Sequence, residues 1–147
     1  MDTEENRRTV YGMASYKQIC MEYMRREKIK YEDVREHVMK ISFKGNNLTS
    51  IPIFIYFDED GDPVLSVKCW NITNFENHTD LAVTVCNELN EKYRWVKFYV
   101  DRDADIIAEL DAYVDDQNCG PVCASLVRRM VSIVDDAYPV LMRALWG

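Results

Sequence analysis

Apolar residues recur at helical spacing in three segments of the chain. The first covers residues 13–28, with apolar side chains three and four positions apart at Met13, Tyr16, Cys20, Tyr23 and Met24. The second covers residues 77–93, where Asn77 or Thr79 is suited to cap a helix start. The third opens at Gly120 and continues towards the C-terminus, where Pro139 is expected to kink it. This periodicity predicts three amphipathic helices.

The segments between these helices alternate with a period of two, which is typical of strands. Residues 37–43, 51–57 and 64–70 predict an antiparallel meander of three strands, and residues 95–100 and 105–114 predict a second hairpin. The resulting order is helix, three strands, helix, two strands, helix. Helices that alternate with antiparallel hairpins indicate an α+β fold with an antiparallel sheet and helices mainly on one of its faces.

The alternation also divides the strand residues between two faces of the sheet. One face is aliphatic, as at Ile53, Val67 and Ile106, and suits packing beneath helices. The other, called the outward face here, mixes aromatic rings with a few polar and charged side chains. Its members are Phe54, Tyr56, Ser66, Lys68, Trp70, Trp95, Lys97, Tyr99, Ile107, Glu109, Asp111 and Tyr113.

The large side chains of the outward face have the composition expected of a protein interface. They are Phe54, Tyr56, Trp70, Trp95, Tyr99, Ile107 and Tyr113, and we expect them to form a surface for a partner or for a second copy of the chain. The alternative is that these rings are dispersed, or are covered by the first helix or the N-terminal arm.

Length and composition favour one domain without a stabilising metal or disulfide. The chain has 147 residues, 48% of them hydrophobic. Residues 1–8 are polar and mostly charged, and residues 1–10 are predicted to form a flexible arm, which leaves residues 11–147 as a single domain. A net charge of −7 without a basic stripe argues against nucleic-acid binding. With no signal peptide, and no apolar run long enough to span a membrane, we expect a cytoplasmic protein with reduced cysteines.

Two runs of alternating aspartates look like the opening of a calcium loop. They begin at Asp58 and at Asp101, but a calcium loop needs Gly at its sixth position and Glu at its twelfth. The sixth and twelfth positions are Pro63 and Cys69 in the first run and Ile106 and Ala112 in the second. We therefore expect solvated hairpin turns, in which aspartates accept local hydrogen bonds.

No other pattern specifies catalysis, a cofactor or a metal site. His37 is predicted to lie on a strand beside Met39, as a histidine that is packed or at the rim of the core. His78 is predicted to be a surface residue near a helix start. Glu109 and Asp111 lie two apart on a solvated strand face, and the glycines are too scattered to form a phosphate loop. Cys119 and Cys123, four residues apart at a helix start, leave a thiol-based redox sensor as the alternative to a purely protein-binding role.

Two stretches resemble bacterial YbjN-domain proteins, which are described as sensory transduction regulators. They are residues 87–101, NELNEKYRWVKFYVD, and residues 131–146, VSIVDDAYPVLMRALW. The resemblance implies a fold similar to type III secretion chaperones, which commonly act as homodimers that hold extended client segments. It supplies no catalytic residue. We therefore expect a non-enzymatic, protein-binding regulator or chaperone-like adaptor that forms a homodimer.

Overall fold

The computed structural model describes residues 14–147, which form three helices and six strands. The helices are α1 (Tyr16–Arg26), α2 (Thr79–Lys92) and α3 (Cys119–Trp146). The strands are β1 (Glu32–Arg35), β2 (Val38–Phe43), β3 (Ile51–Phe57), β4 (Val64–Cys69), β5 (Lys97–Val100) and β6 (Ile106–Tyr113). They are ordered β1-β2-β3-β4-β6-β5 in an antiparallel sheet, which confirms the predicted α+β class. The predicted arm over residues 1–10 lies outside the described residues.

The three predicted helices are present, and the helix starts show how local chemistry places them. Ser15 caps α1, because its Oγ accepts from the backbone N–H of Gln18 at 3.1 Å while Gln18 Oε1 accepts from the Ser15 N–H at 2.9 Å. The expected cap of α2 at Asn77 or Thr79 was wrong. His78 takes the cap position without a side-chain hydrogen bond to the helix.

Helix α3 continues past Pro139, so the proline does not end it. A kink at that position stays a prediction. Among the residues that the structure describes, no helix is both long and apolar enough to cross a membrane.

Strand β1 was not predicted, because all four of its residues are exposed and three are charged. A strand without a buried face has no alternation of apolar and polar residues to reveal it. β1 pairs with β2, with Asp33 opposite Met39, and the connecting turn contains His37 at φ 68°. The prediction that His37 lies on a strand beside Met39 was therefore wrong.

The period-two alternation is confirmed in the central strands. Every second residue of β3 and β4 is buried and those between are half-buried, so Ile53, Ile55 and Leu65 have no solvent exposure. Burying such aliphatic side chains stabilises the fold by roughly 1.5–3 kcal/mol each.

The chain divides into two compact units, each assembled from three stretches. Of the described residues, the first unit comprises residues 14–41, 54–67 and 111–127, and the second comprises residues 42–53, 68–110 and 128–147. The prediction of a single domain over residues 11–147 stays a prediction.

In the first unit, α1 packs closely against the start of α3. A Cβ atom built on Gly120 would lie 2.5 Å from Cβ and Cγ of Tyr23, so only a glycine allows this approach without displacement of Tyr23. The thiols of Cys20 and Cys119 meet in the same contact, with their Sγ atoms 3.0 Å apart.

In the second unit, the carboxylate of Asp135 on α3 holds the turn between β2 and β3. Its Oδ1 accepts from the backbone N–H groups of Asn47 and Leu48 at 2.9 and 3.0 Å, and its Oδ2 accepts from that of Asn46 at 3.0 Å. A Cβ atom on Gly45 would lie 2.2 Å from Oδ1, so the absence of a side chain there lets the turn reach the carboxylate.

The protonation state of Asp135 follows from these bonds. Burial by itself would raise the pKa of this carboxyl, but the three backbone N–H donors outweigh burial and lower the pKa below its ordinary value. Asp135, with 9% of its surface exposed, is therefore a buried anion whose charge is satisfied by the turn.

We predict that Asp135→Asn lowers the free energy of unfolding by about 1–3 kcal/mol at neutral pH, because an amide cannot accept from three donors through both of its terminal atoms. Urea unfolding measures this change. Ser132→Ala is the matched control: it removes an exposed hydroxyl one turn earlier on α3 and should change stability by less than about 0.5 kcal/mol.

The effect should depend on pH. Because the native pKa of Asp135 is lowered, its contribution is fully present above the ordinary Asp pKa of about 3.9 and is lost as the pH falls through the native pKa. The difference between wild type and Asp135→Asn should therefore narrow below about pH 4. A difference that stays constant from pH 7 to pH 3 would contradict the assignment.

Candidate protein-binding surface

In the first unit, two rings of the outward face lie side by side. The ring centroids of Phe54 and Tyr56 are 6.4 Å apart with an interplanar angle of 27°, and both residues are half-buried. The ammonium group of Lys40 lies 5.6 Å from the Phe54 ring centroid and 3.4 Å from Glu32 Oε2. The lysine therefore bridges a ring on β3 and a carboxylate on β1.

The remaining outward side chains of the first unit are polar or open to solvent. Ser66 donates its hydroxyl hydrogen to Asp111 Oδ1, which links β4 to β6. Tyr113, at the end of β6, has 83% of its surface exposed. This exposure matches the position that the alternation predicts for Tyr113.

In the second unit, Glu109 is the centre of a small ionic cluster. Its carboxylate lies 3.5 Å from the ammonium of Lys68 and 3.4 Å from that of Lys97, and it accepts from the hydroxyl of Tyr99 at 2.8 Å. The strand register explains the arrangement, because Lys97 of β5 lies directly opposite Glu109 of β6. The Glu109 side chain is only 13% exposed, whereas the Lys97 side chain beside it is 63% exposed, so water screens the Glu109–Lys97 pair from the lysine side.

The cluster shifts the pKa values of Glu109 and Tyr99. Burial favours a higher pKa for Glu109, but the Tyr99 hydrogen bond and the two lysines outweigh it and lower the pKa. Burial, reinforced by the bond to Glu109, raises the pKa of Tyr99 to about 12. Near neutral pH Glu109 is thus a carboxylate and Tyr99 a neutral phenol, which argues against acid–base work by Glu109 in this state.

The two lysines also cover aromatic rings. The ammonium of Lys68 lies 5.2 Å from the Trp70 ring centroid, and that of Lys97 lies 5.8 Å from the Tyr99 ring centroid. Contacts of this kind limit the rotamers of long side chains in the isolated chain. This part of the outward face therefore combines aromatic rings with paired charges.

Two residues assigned to the outward face differ from that prediction. Ile107 lies on the same face as Tyr99, the residue directly opposite it on β5, but it is buried, with 1% exposure, because the first part of β6 is buried on both faces. Trp95 precedes β5, at φ 82°, instead of lying on the strand. Its ring is 59% exposed and lies under the guanidinium of Arg129 on α3, at 5.7 Å.

The cysteine pair considered as a redox sensor is inaccessible. Cys119 and Cys123 have no exposed surface, and Cys20 of α1 joins them as a third buried thiol. Hydrogen bonds from the neighbouring thiols, followed by burial, raise the pKa of Cys20. A sensor needs a solvent-accessible thiolate, so the structure gives no support to the redox alternative.

The aspartate runs form hairpin turns, as predicted. Asp58 Oδ2 accepts from the backbone N–H groups two and four residues later, and Asp101 Oδ1 does the same in its own turn. Residues 14–147 contain no group of three or more His, Cys, Asp or Glu side chains arranged to hold a metal ion.

Two open grooves have the volume of a small-ligand site. One, of about 440 Å³, lies in the first unit beside His37, Tyr56 and Ser66, and another, of about 430 Å³, lies in the second unit beside Lys44 and Arg128. Both are lined mainly by polar and charged groups, whereas small-molecule sites are mostly apolar. They are weaker candidates for a functional site than the outward face.

Comparisons with known proteins bear on the fold and the family. A family model, YbjN, described as "Putative bacterial sensory transduction regulator", matches residues 22–141. The solved structure of YbjN from E. coli, described as a putative transcription regulator, has a TM-score of 0.57 at 8% identity, over 82% of this chain and 90% of that chain. At this identity the likeness concerns the fold.

A second solved structure is more distant. The Yersinia pestis type III secretion chaperone SycH, in complex with a stable fragment of YscM2, has a TM-score of 0.43 at 10% identity, over 81% of this chain and 99% of that chain. A comparison with curated protein sequences gives no match.

We predict that Glu109→Gln lowers the pKa of Tyr99 from about 12 towards the ordinary tyrosine value near 10, because the phenol loses a charged acceptor. The ¹³Cζ resonance of Tyr99, followed by NMR as the pH is raised, measures the change. Asp111→Asn, which alters the other outward carboxylate of β6, should leave the Tyr99 pKa unchanged. An identical Tyr99 titration in wild type and Glu109→Gln would show that the bond does not contribute.

We also predict slow thiol modification in the native protein. All five cysteines are buried, so alkylation requires local opening, and an opening that costs about 2.8 kcal/mol slows it roughly a hundredfold. Iodoacetamide labelling followed by mass spectrometry, with and without urea, measures the rate at each position. Rapid native labelling of Cys119 or Cys123 would reopen the redox hypothesis.

Proposed function

The chain belongs to the YbjN family, and on this premise we propose that it is a non-enzymatic regulator that acts in the bacterial cytoplasm by binding proteins through its outward face. The observation that carries the proposal is the set of half-exposed rings on that face, several held under lysine side chains. Phe54, Trp70 and Tyr99 each have an ammonium group within 6 Å of the ring centroid.

Such a surface suits protein recognition for two physical reasons. Aromatic rings supply a large contact area with few rotatable bonds, so little conformational entropy is lost on binding. The ionic cluster around Glu109 fixes Lys68 and Lys97 before contact, and the geometry that a partner meets is already formed.

The partner that we favour is a second copy of the chain. In the second unit the outward face carries both signs of charge, because the ammonium of Lys97, whose side chain is 63% exposed, lies 3.4 Å from the carboxylate of Glu109. A two-fold pairing places the same patch against itself, and a patch that holds both cations and anions satisfies this requirement without a net repulsion. A client protein bound on the same face is the competing occupant.

We predict that the wild-type protein is a dimer at micromolar concentration, and that Tyr113→Asp weakens dimerisation at least about tenfold, which corresponds to 1.4 kcal/mol. The substitution places a charge at a position that is 83% exposed in the isolated chain, so the fold should tolerate it. Size-exclusion chromatography with light scattering, followed by sedimentation velocity, measures the mass and the dissociation constant.

Leu81→Asp is the matched control. It introduces the same carboxylate at an exposed apolar position of α2, where Leu81 has 45% of its surface exposed, and it should leave the dissociation constant unchanged. A wild-type protein that stays monomeric up to 100-fold above micromolar concentration would contradict self-association. A dimer insensitive to Tyr113→Asp and to Lys97→Glu would show that it forms through another surface.

A further inference from the structure

The edge of the sheet at β5 carries a side-chain amide in the place of a neighbouring strand. β5 is the last strand in the sheet order and pairs with β6 on its inner side. Asn90 of α2 approaches Phe98: the Phe98 backbone N–H donates to Asn90 Oδ1 at 2.7 Å, and Asn90 Nδ2 donates to the Phe98 carbonyl oxygen at 3.0 Å. The amide side chain thus offers the same donor and acceptor as a peptide group.

These two bonds occupy the backbone N–H and C=O of Phe98, which are two of the groups through which an edge strand adds a further strand. Helix α2 lies alongside β5, and the Tyr93 ring packs at 6.3 Å from the Phe98 ring, which keeps Asn90 in register with the strand. Asn is a poor helix former, so its position near the end of α2 is better explained by this contact than by helix propensity.

The opposite edge is protected by different means. β1 is short and exposed, and charged residues such as Glu32 and Asp33 discourage strand addition. In addition, the ammonium of Lys17 on α1 donates to the backbone carbonyl of Arg35 at 2.8 Å and to Asp33 Oδ1 at 2.5 Å. A helix side chain therefore occupies a backbone acceptor of β1 as well.

We propose that Asn90 is an edge guard: its amide closes β5 to strand addition, so that a protein partner is recognised by side chains of the outward face and not by extension of the sheet. The inference that a partner is recognised by side chains rests on the proposed function. The inference that β5 is closed to strand addition rests on the Asn90–Phe98 contact alone. Without the guard, the accessible strand is β5, and its most available partner in a pure solution is β5 of a second copy.

The test compares Asn90→Ala with Asn87→Ala. Asn87 is exposed on the same helix, so its replacement makes the same chemical change away from the strand edge. Asn90→Ala should raise the association constant at least about tenfold above wild type, as expected when an edge is freed. Asn87→Ala should behave like wild type. Sedimentation velocity across a concentration series gives the association constants. An association constant of Asn90→Ala equal to that of wild type would overturn the proposal.

A second measurement needs no variant and therefore does not depend on whether Asn90→Ala folds. Hydrogen exchange followed by NMR reports on the Phe98 amide in the wild-type protein. With its N–H bound to Asn90, this edge amide should exchange at least about tenfold more slowly than the amides of the exposed strand β1. If the Phe98 amide exchanged as fast as the Val34 amide, the proposal that Asn90 closes this edge would be overturned.

The outcomes separate this inference from the proposed function. If Tyr113→Asp does not affect the dimer, the outward face is not the interface, but the inference about the β5 edge still holds. If Asn90→Ala associates no more than wild type, Asn90 does not close the edge, but the outward face can still be the interface. If a client bound by wild type pairs with β5 in chemical-shift mapping, with Phe98 as the main perturbed residue, partner recognition by side chains is refuted.

Discussion

The constraint on which the rest of the structure depends is the two-residue repeat of the strands. Because successive side chains leave a strand on opposite sides, burying Ile53 and Ile55 forces Phe54 and Tyr56 towards the other side. The chain uses that other side for rings and paired charges instead of small polar residues. The core and the candidate interface are therefore consequences of one backbone geometry, and neither can be altered by a shift of register without disrupting the other.

The same constraint explains which features the sequence could predict. The helices and the central strands carry strong periodicity, so their positions and the α+β class follow from spacing. β1 has no buried face and produces no pattern. Ile107 fits the alternation of an outward residue, but β6 is buried on both sides where it begins, and only the tertiary structure reveals this. The prediction that Trp95 lies on the strand was wrong for a different reason. Trp95 adopts a positive φ, so the extended conformation of β5 begins only after it.

Several important contacts leave no local signal at all. Asp135 is one of many acidic residues in the sequence, and its role depends on a turn nearly ninety positions earlier in the chain. Asn90 reads as an ordinary polar helix residue until β5 is placed beside it. The Glu109 cluster combines three strands, so that spacing in the sequence could suggest the pair with Asp111 but not the partners Lys68 and Tyr99. Long-range polar contacts of this kind are fixed by the fold and are not encoded in any window of residues.

The contact between Tyr23 and Gly120 has a consequence for natural variation. Because Cβ and Cγ of Tyr23 fill the space that a side chain at position 120 would need, the two positions are sterically coupled across nearly a hundred residues. Relatives that keep a side chain at 23 should keep glycine at 120, and those with a side chain at 120 should carry glycine at 23 or a wider separation of α1 and α3. The pair is thus a covariation marker for the distance between α1 and α3 in evolutionary lineages that share this fold.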